Sequence, residues 1–151
     1  MLGFGDKSTE LYRMINPIEH SRTKESCNKY KVEPYVIPAD IYGANNLAGR
    51  GGWTWYTGSG SWYYKAGIEN ILGIKIQNGY LKIEPCISKY WKEYQIRYQF
   101  KESIYNIIIK NPNGKNCWED GISEVLLNGN KVDNFIKLDG SRNIYQIDVV
   151  L

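Results

Sequence analysis

Long apolar runs are missing from this chain of 151 residues. Its longest stretches of consecutive apolar side chains span only a few residues, too short for a membrane-crossing helix. Histidine occurs once, at His20, with no metal-ligand partner at useful spacing. The three cysteines, Cys27, Cys86 and Cys117, are isolated and odd in number, and no CxxC occurs. That spacing argues against a zinc site and against a disulfide framework. No block of five or six like charges appears, and the net charge is only +3, so a nucleic-acid footprint is not indicated. The segment YWKEYQIRYQFK interleaves aromatic and basic residues, but its strict alternation reads as an ordinary two-faced strand. The start, MLGFGDKSTEL, lacks a basic segment followed by an apolar one, so no signal peptide is expected. These absences predict a soluble protein in a reducing, cytoplasmic setting, with no metal and no membrane or nucleic-acid partner.

What the chain has in excess is Tyr and Trp. Thirteen Tyr and five Trp against three Phe make up an aromatic share of 14%. Both residue types pair a flat apolar face with a polar edge, which suits sugar stacking and also suits sheets and interfaces. The excess peaks in GRGGWTWYTGSGSW, residues 49–62, with five glycines and three tryptophans.

The pattern changes near residue 75. Before it, Leu11, Met14, Ile15 and Ile18 follow helical spacing, predicting a helix over about 8–16 with Ser8 as N-cap, stopped by Pro17. A short helix is expected at 24–30. From Glu33 the segment with Pro34 and Pro38 should be extended and irregular, and a connection of this length in a compact domain is usually functional. A second helix is predicted over 59–72, closed by Gly73, with Tyr64, Ile68, Ile71 and Leu72 on its apolar face. So apolar a helix should be buried on most sides, which the rest of the first half can barely do. After residue 75, strands are expected at 79–84, 94–100, 103–110, 122–127, 130–136 and 143–151. Asn128-Gly129 marks a hairpin and KNPNGKN a further turn. This spacing suggests an antiparallel sandwich packed on helices, an α+β class.

No phosphate-binding GxxxxGK motif is present, and the start of a dinucleotide fingerprint at Gly58 lacks its third glycine and its preceding strand. Ser59 and Ser61 have no evident His and Asp partners. Thr57 and Gly58 fall at the entry to the second predicted helix, where unpaired N–H groups and a partial positive charge attract anions. Two compatible readings stand open here: Thr57 or Ser59 caps the helix, or the turn binds an anion. Trp53, Trp55, Tyr56 and Trp62 likewise read as core packing or as a sugar platform.

The segments INPIEH, YKVEPYVIPADIY and GRGGWTWYTGSGSWYYKAGIENILGI, continued by LKIEPCISKYW and IKNPNG, resemble glycoside hydrolase family 94. This family comprises glycoside phosphorylases such as cellobiose, chitobiose and 1,2-β-oligoglucan phosphorylases and the phosphorylase-like region of cyclic β-1,2-glucan synthases. The form GGWTWYTGS is most similar to the β-1,2-glucan branch. The resemblance covers nearly the whole chain and implies the carboxyl-terminal part of such an enzyme. Residues 1–75 would then be the last helices and loops of an (α/α)6 catalytic barrel, and residues 76–151 a carboxyl-terminal β-sandwich of jelly-roll type. It also implies an inverting, reversible phosphorolysis of a β-glucosidic bond giving α-glucose 1-phosphate. Inorganic phosphate takes the place of the activated water of an inverting glycosidase, as a substrate, and no cofactor is needed.

In the family the Thr-Gly of this motif helps to bind phosphate, which puts Thr57 and Gly58 in that role, with Ser59 adjacent. Trp53, Trp55 and Tyr56 would line the sugar site. The family's general-acid Asp and phosphate-binding His lie upstream of the motif, and neither segment occurs in these residues; His20 belongs to a different landmark. As a lone chain it is therefore expected to be inactive and to self-associate or to depend on an upstream catalytic polypeptide. The alternative is a non-catalytic carbohydrate-binding or structural module that complements a larger subunit.

Overall fold

The computed structural model describes residues 3–55, 58–118 and 121–151. Three α-helices, α1 (Gly5–Met14), α2 (Lys24–Tyr30) and α3 (Ser59–Lys65), precede most of the strands. The chain divides into two compact units, residues 10–67 and residues 1–9 with 68–151. The change of character that the sequence places at 75/76 falls inside a strand, and the unit boundary lies at 67/68.

In the unit of residues 10–67, Tyr12 and Tyr63 stack with ring centroids 3.8 Å apart, and the Tyr63 hydroxyl donates to the Tyr12 carbonyl at 3.0 Å. Gly67 lies against the same tyrosine: a Cβ there would sit 2.5 Å from the Tyr12 hydroxyl. Burial holds the Tyr63 hydroxyl far above its usual ionisation range. The first helix begins earlier than its sequence suggests. Ser8 lies inside α1 and its hydroxyl donates to the Phe4 carbonyl at 2.9 Å, so it does not cap the N-terminus. Met14 ends the helix two residues short of Asn16, whose side chain accepts from the Ile18 N–H at 2.9 Å and so turns the chain around Pro17. The short helix α2 forms where expected. Thr23 caps it, and a reciprocal bond with Ser26 satisfies a donor at each side of the cap. His20 stacks on the buried Tyr30 at 4.9 Å, with Nε2 2.6 Å from the Met14 carbonyl oxygen.

The second predicted helix is interrupted. α3 passes into π-helical turns over Ala66–Ile71, then ends at Gly73 with φ +75°. A π-turn adds a residue per turn and rotates the next residues out of the α register. Tyr64 is therefore 70% exposed while Ile71 is buried, and the expected common face of the two does not form.

The remaining strands build two sheets. A three-stranded sheet runs β3 (Ile74–Gln77), β4 (Tyr80–Ile83), β9 (Phe135–Lys137), in the order β3-β4-β9. A five-stranded sheet has the order β5-β6-β10-β7-β8, with β5 (Glu93–Phe100), β6 (Ser103–Lys110), β7 (Glu124–Leu127), β8 (Asn130–Lys131) and β10 (Ile144–Val150). Each sheet buries one face: Ile74, Leu81, Ile83 and Ile136 from the first, Tyr105, Ile107, Ile109, Val125, Ile147 and Val149 from the second. Strand β3 lies outside the expected strands. The turn that creates it, Asn78-Gly79 with φ +50° and +79°, is the same kind as Asn128-Gly129 at +49° and +80°. One pair departs from the antiparallel expectation: β10 runs parallel to β6, from Ile144 opposite Ile104 to Val150 opposite Lys110. The predicted strand over 130–136 is two strands in different sheets, parted at Asp133-Asn134, where Asn134 exchanges bonds with Ile83.

Candidate functional site

The Trp-Gly segment is held by a two-residue ladder, β1 (Asp40–Ile41) against β2 (Gly51–Gly52). Ala39 N–H is shared between the carbonyls of Gly52 and Trp53, at 3.2 and 3.1 Å, which carries the pairing one residue further. Both glycines are buried and required by packing. A Cβ on Gly51 would lie 2.5 Å from a Val32 methyl, and one on Gly52 would lie 2.3 Å from the Tyr42 hydroxyl. The backbone can thus run flush against its neighbours.

Trp53 and Trp55 then take φ of +52° and +73°. Bulky side chains rarely occupy that region, and such outliers cluster where a site is held in a defined shape. Both indoles are exposed, at 73% and 65%, and Tyr35 meets Trp55 edge-on at 6.2 Å. Trp62 is also exposed, with the Lys65 ammonium 5.8 Å from its ring centre. Core packing, one of the two sequence readings of these tryptophans, does not apply to them in this chain. Tyr56 and Thr57 lie outside the described residues.

Gly58 is the N-cap of α3, with φ −76° and ψ 5°, and no side-chain cap bond is made there. Ser59 is the first helical residue and its hydroxyl donates to the Ile37 carbonyl at 3.2 Å. The Ser61 hydroxyl donates back to the Gly58 carbonyl at 2.9 Å. Both hydroxyls thus donate to carbonyl oxygens, and Thr57, the other capping candidate, lies outside the described residues. Gly58 needs no glycine for its own conformation: a Cβ would meet the nearest atom, on Trp62, only at 3.7 Å. The structure thus brings Trp53, Trp55, Gly58 and Ser59 into one short stretch of surface backbone, with helix N–H groups at one end and indoles at the other. Among the described residues no cluster of His, Cys, Asp and Glu could hold a metal, and no helix is long and apolar enough to cross a membrane.

Residues 1–73 match the sequence profile of the glycosyl hydrolase 94 superfamily, catalytic domain. The chain belongs to that family. Its similarity continues beyond the profile. It is 42% identical over 104 residues to the cyclic beta-(1,2)-glucan synthase NdvB of Rhizobium meliloti (strain 1021), covering 69% of this chain and 4% of that protein. It is 32% identical over 152 residues to the N,N'-diacetylchitobiose phosphorylase of Vibrio furnissii, covering 99% of this chain and 18% of the enzyme. The solabiose phosphorylase of Paenibacillus borealis is 27% identical over 157 residues, with 97% and 19% covered. This family 94 chain therefore spans less than a fifth of the length of these curated relatives, two of which are glycoside phosphorylases by name. The candidate stretch at residues 49–62 lies within the part matched to the catalytic domain.

Proposed function

We propose that this chain supplies one wall of the active site of an inverting glycoside phosphorylase acting on β-glucosides or β-glucans. In this reading Thr57, Gly58 and Ser59 bind inorganic phosphate, and Trp53, Trp55 and Tyr56 face the sugar. Residues 1–75 form the closing helices and loops of an (α/α)6 catalytic barrel, and residues 76–151 the jelly-roll sandwich after it. The general acid comes from outside these residues, on the catalytic polypeptide that they complete. The similarity to a cyclic β-1,2-glucan synthase supports a β-1,2-linked glucan as substrate.

The observation that carries the reading is the match to the catalytic domain over the segment that contains Thr57-Gly58-Ser59. The position of Gly58 at the N-cap of α3 supports it, because the start of a helix presents N–H groups and a partial positive charge toward an anion. So does Gly58, whose hydrogen leaves room beside the backbone that its own fold does not require. The chemistry asks for little more from this wall. Phosphate brings its own charge as nucleophile, so the protein must hold a dianion in line with the anomeric carbon while an acid elsewhere protonates the departing oxygen.

The test is calorimetric titration of phosphate into the chain and its Thr57→Ala and Gly58→Val variants, with glucan titrated in parallel. Weak phosphate binding lost in both variants is the expected result, together with no release of glucose 1-phosphate from β-1,2-glucan by the chain alone. Phosphate affinity unchanged by either substitution would overturn the assignment. The exposed Trp53, Trp55 and Trp62 favour one second reading, a non-catalytic carbohydrate-binding module, and glucan affinity without any phosphate affinity would select it.

A further inference from the structure

The five-stranded sheet has two unlike edges. One edge, β8, is only two residues long and offers almost nothing to pair with. The other, β5, runs eight residues and pairs on one side only, with β6, in unbroken register from Glu93 opposite Lys110 to Phe100 opposite Ser103. It has no proline and no bulge. Its inner face carries Tyr94, Ile96, Tyr98 and Phe100, none of them charged, and no backbone bond from elsewhere among the described residues reaches its free side. A long, regular edge of this kind displays a row of N–H and C=O groups that a further strand can complete.

The side chains say which strand. Along the solvent-facing side of β5 the order is Glu93, Gln95, Arg97, Gln99, all exposed. Arg97 makes no ion pair among the described residues, and Glu93 accepts only a 3.4 Å bond from Gln95. Two copies of β5 laid antiparallel must keep inner residues opposite inner and outer opposite outer, because side chains alternate between faces. Among the registers that do so, the one with its two-fold axis at Gln95 sets Glu93 of each copy opposite Arg97 of the other. Tyr94 then faces Ile96, and Gln95 faces its own copy. The axis at Arg97 would instead set two guanidinium groups against each other. Opposite charges directly across an antiparallel pair are favourable and like charges unfavourable.

We infer that the free edge of β5 is an interaction surface whose partner is a second copy of this chain, joined antiparallel about Gln95 through reciprocal Glu93–Arg97 pairs. The joined sheet has ten strands and no long free edge. The inference uses no residue of the phosphate stretch and stands or falls apart from it.

Sedimentation velocity over a range of concentrations tests it on four proteins: the chain, Arg97→Glu, Glu93→Arg and the double exchange. Both positions are exposed and remote from the core, and circular dichroism confirms that each variant is folded. The expected result is a reversible dimer whose dissociation constant rises about tenfold or more in each single variant, through two like-charge oppositions, and returns toward the starting value in the double exchange. Amide exchange within residues 93–97 should slow as the dimer forms. A chain that stays monomeric at all concentrations overturns the inference. So does a dimer indifferent to the single variants, or one that the double exchange fails to restore.

Discussion

Trp53 and Trp55 hold backbone angles that cost free energy and place their indoles in solvent. Neither arrangement stabilises this chain by itself, and backbone outliers of this kind are held by the structure around them. Glu84 shows the opposite case, a charged residue whose value is internal. It is buried, and its carboxylate meets Lys75 at 2.8 Å and Lys82 at 2.6 Å. Those two lysines sit directly opposite each other on β3 and β4, so the glutamate holds apart a pair that would otherwise repel. Burial pushes its carboxyl up, but the two ammonium groups pull it further the other way, and the net direction is down. A carboxyl lowered on folding stabilises the native state above its unfolded value near pH 4.5, and that contribution is lost as pH falls through the folded value. Glu84→Gln should therefore cost about 2 kcal/mol at neutral pH. Urea denaturation should show the gap to the parent chain narrowing as the pH is lowered through the acid range. Nothing in the local sequence marks Glu84 for this role, because its partners are set by hairpin register.

At the scale of elements, α2 is the most legible. Its cap, its length and its end all depend on neighbours in sequence, since Thr23 and Ser26 satisfy each other within one turn. Replacing Thr23 with Ala should cost about 1 kcal/mol, read as a lower urea midpoint of tyrosine or tryptophan fluorescence, while Thr23→Ser should cost much less. The edge-to-centre run 94–110 is legible for a similar reason: strict alternation along β5 and a tight turn into β6 leave one register. α3 is not. An apolar face with a period of 3.6 residues does not survive the π-turns at Ala66–Ile71, which break that period. Those turns lie where Gly67 closes onto Tyr12, a contact made 55 positions along the chain. Strand β3 is harder to read than its turn, although Asn78-Gly79 carries the same chemistry as the hairpin at Asn128-Gly129.

For the whole molecule, exposed apolar surface is the property with consequences. Leu11, Met14, Ile15 and Ile18 follow one another at helical spacing and are between 47% and 62% exposed. Apolar side chains left in solvent in this way are surface that a hydrophobic dye can reach. The chain should bind a hydrophobic dye, and the double variant Leu11→Lys with Ile18→Lys should bind clearly less of it at unchanged thermal stability. A chain that binds no dye would show this surface to be satisfied already. The charge exchange on β5 separates ordered pairing from adhesion through this row, because only the former responds to the sign at residues 93 and 97.

The sequence alone determined the family, the short helix α2, the hairpin at Asn128-Gly129, the strand β6 and the two faces of β5. Each of these depends on residues close together in the chain or on a motif long enough to be specific. Tertiary structure decided the rest. The parallel pairing of β10 with β6, the division of 130–136 between two sheets, the lysine pair around Glu84 and the outward turn of Trp53 and Trp55 all join distant segments. Local preferences cannot choose such partners: they are selected by which faces can be buried together without leaving a backbone donor, a charge or a ring unsatisfied.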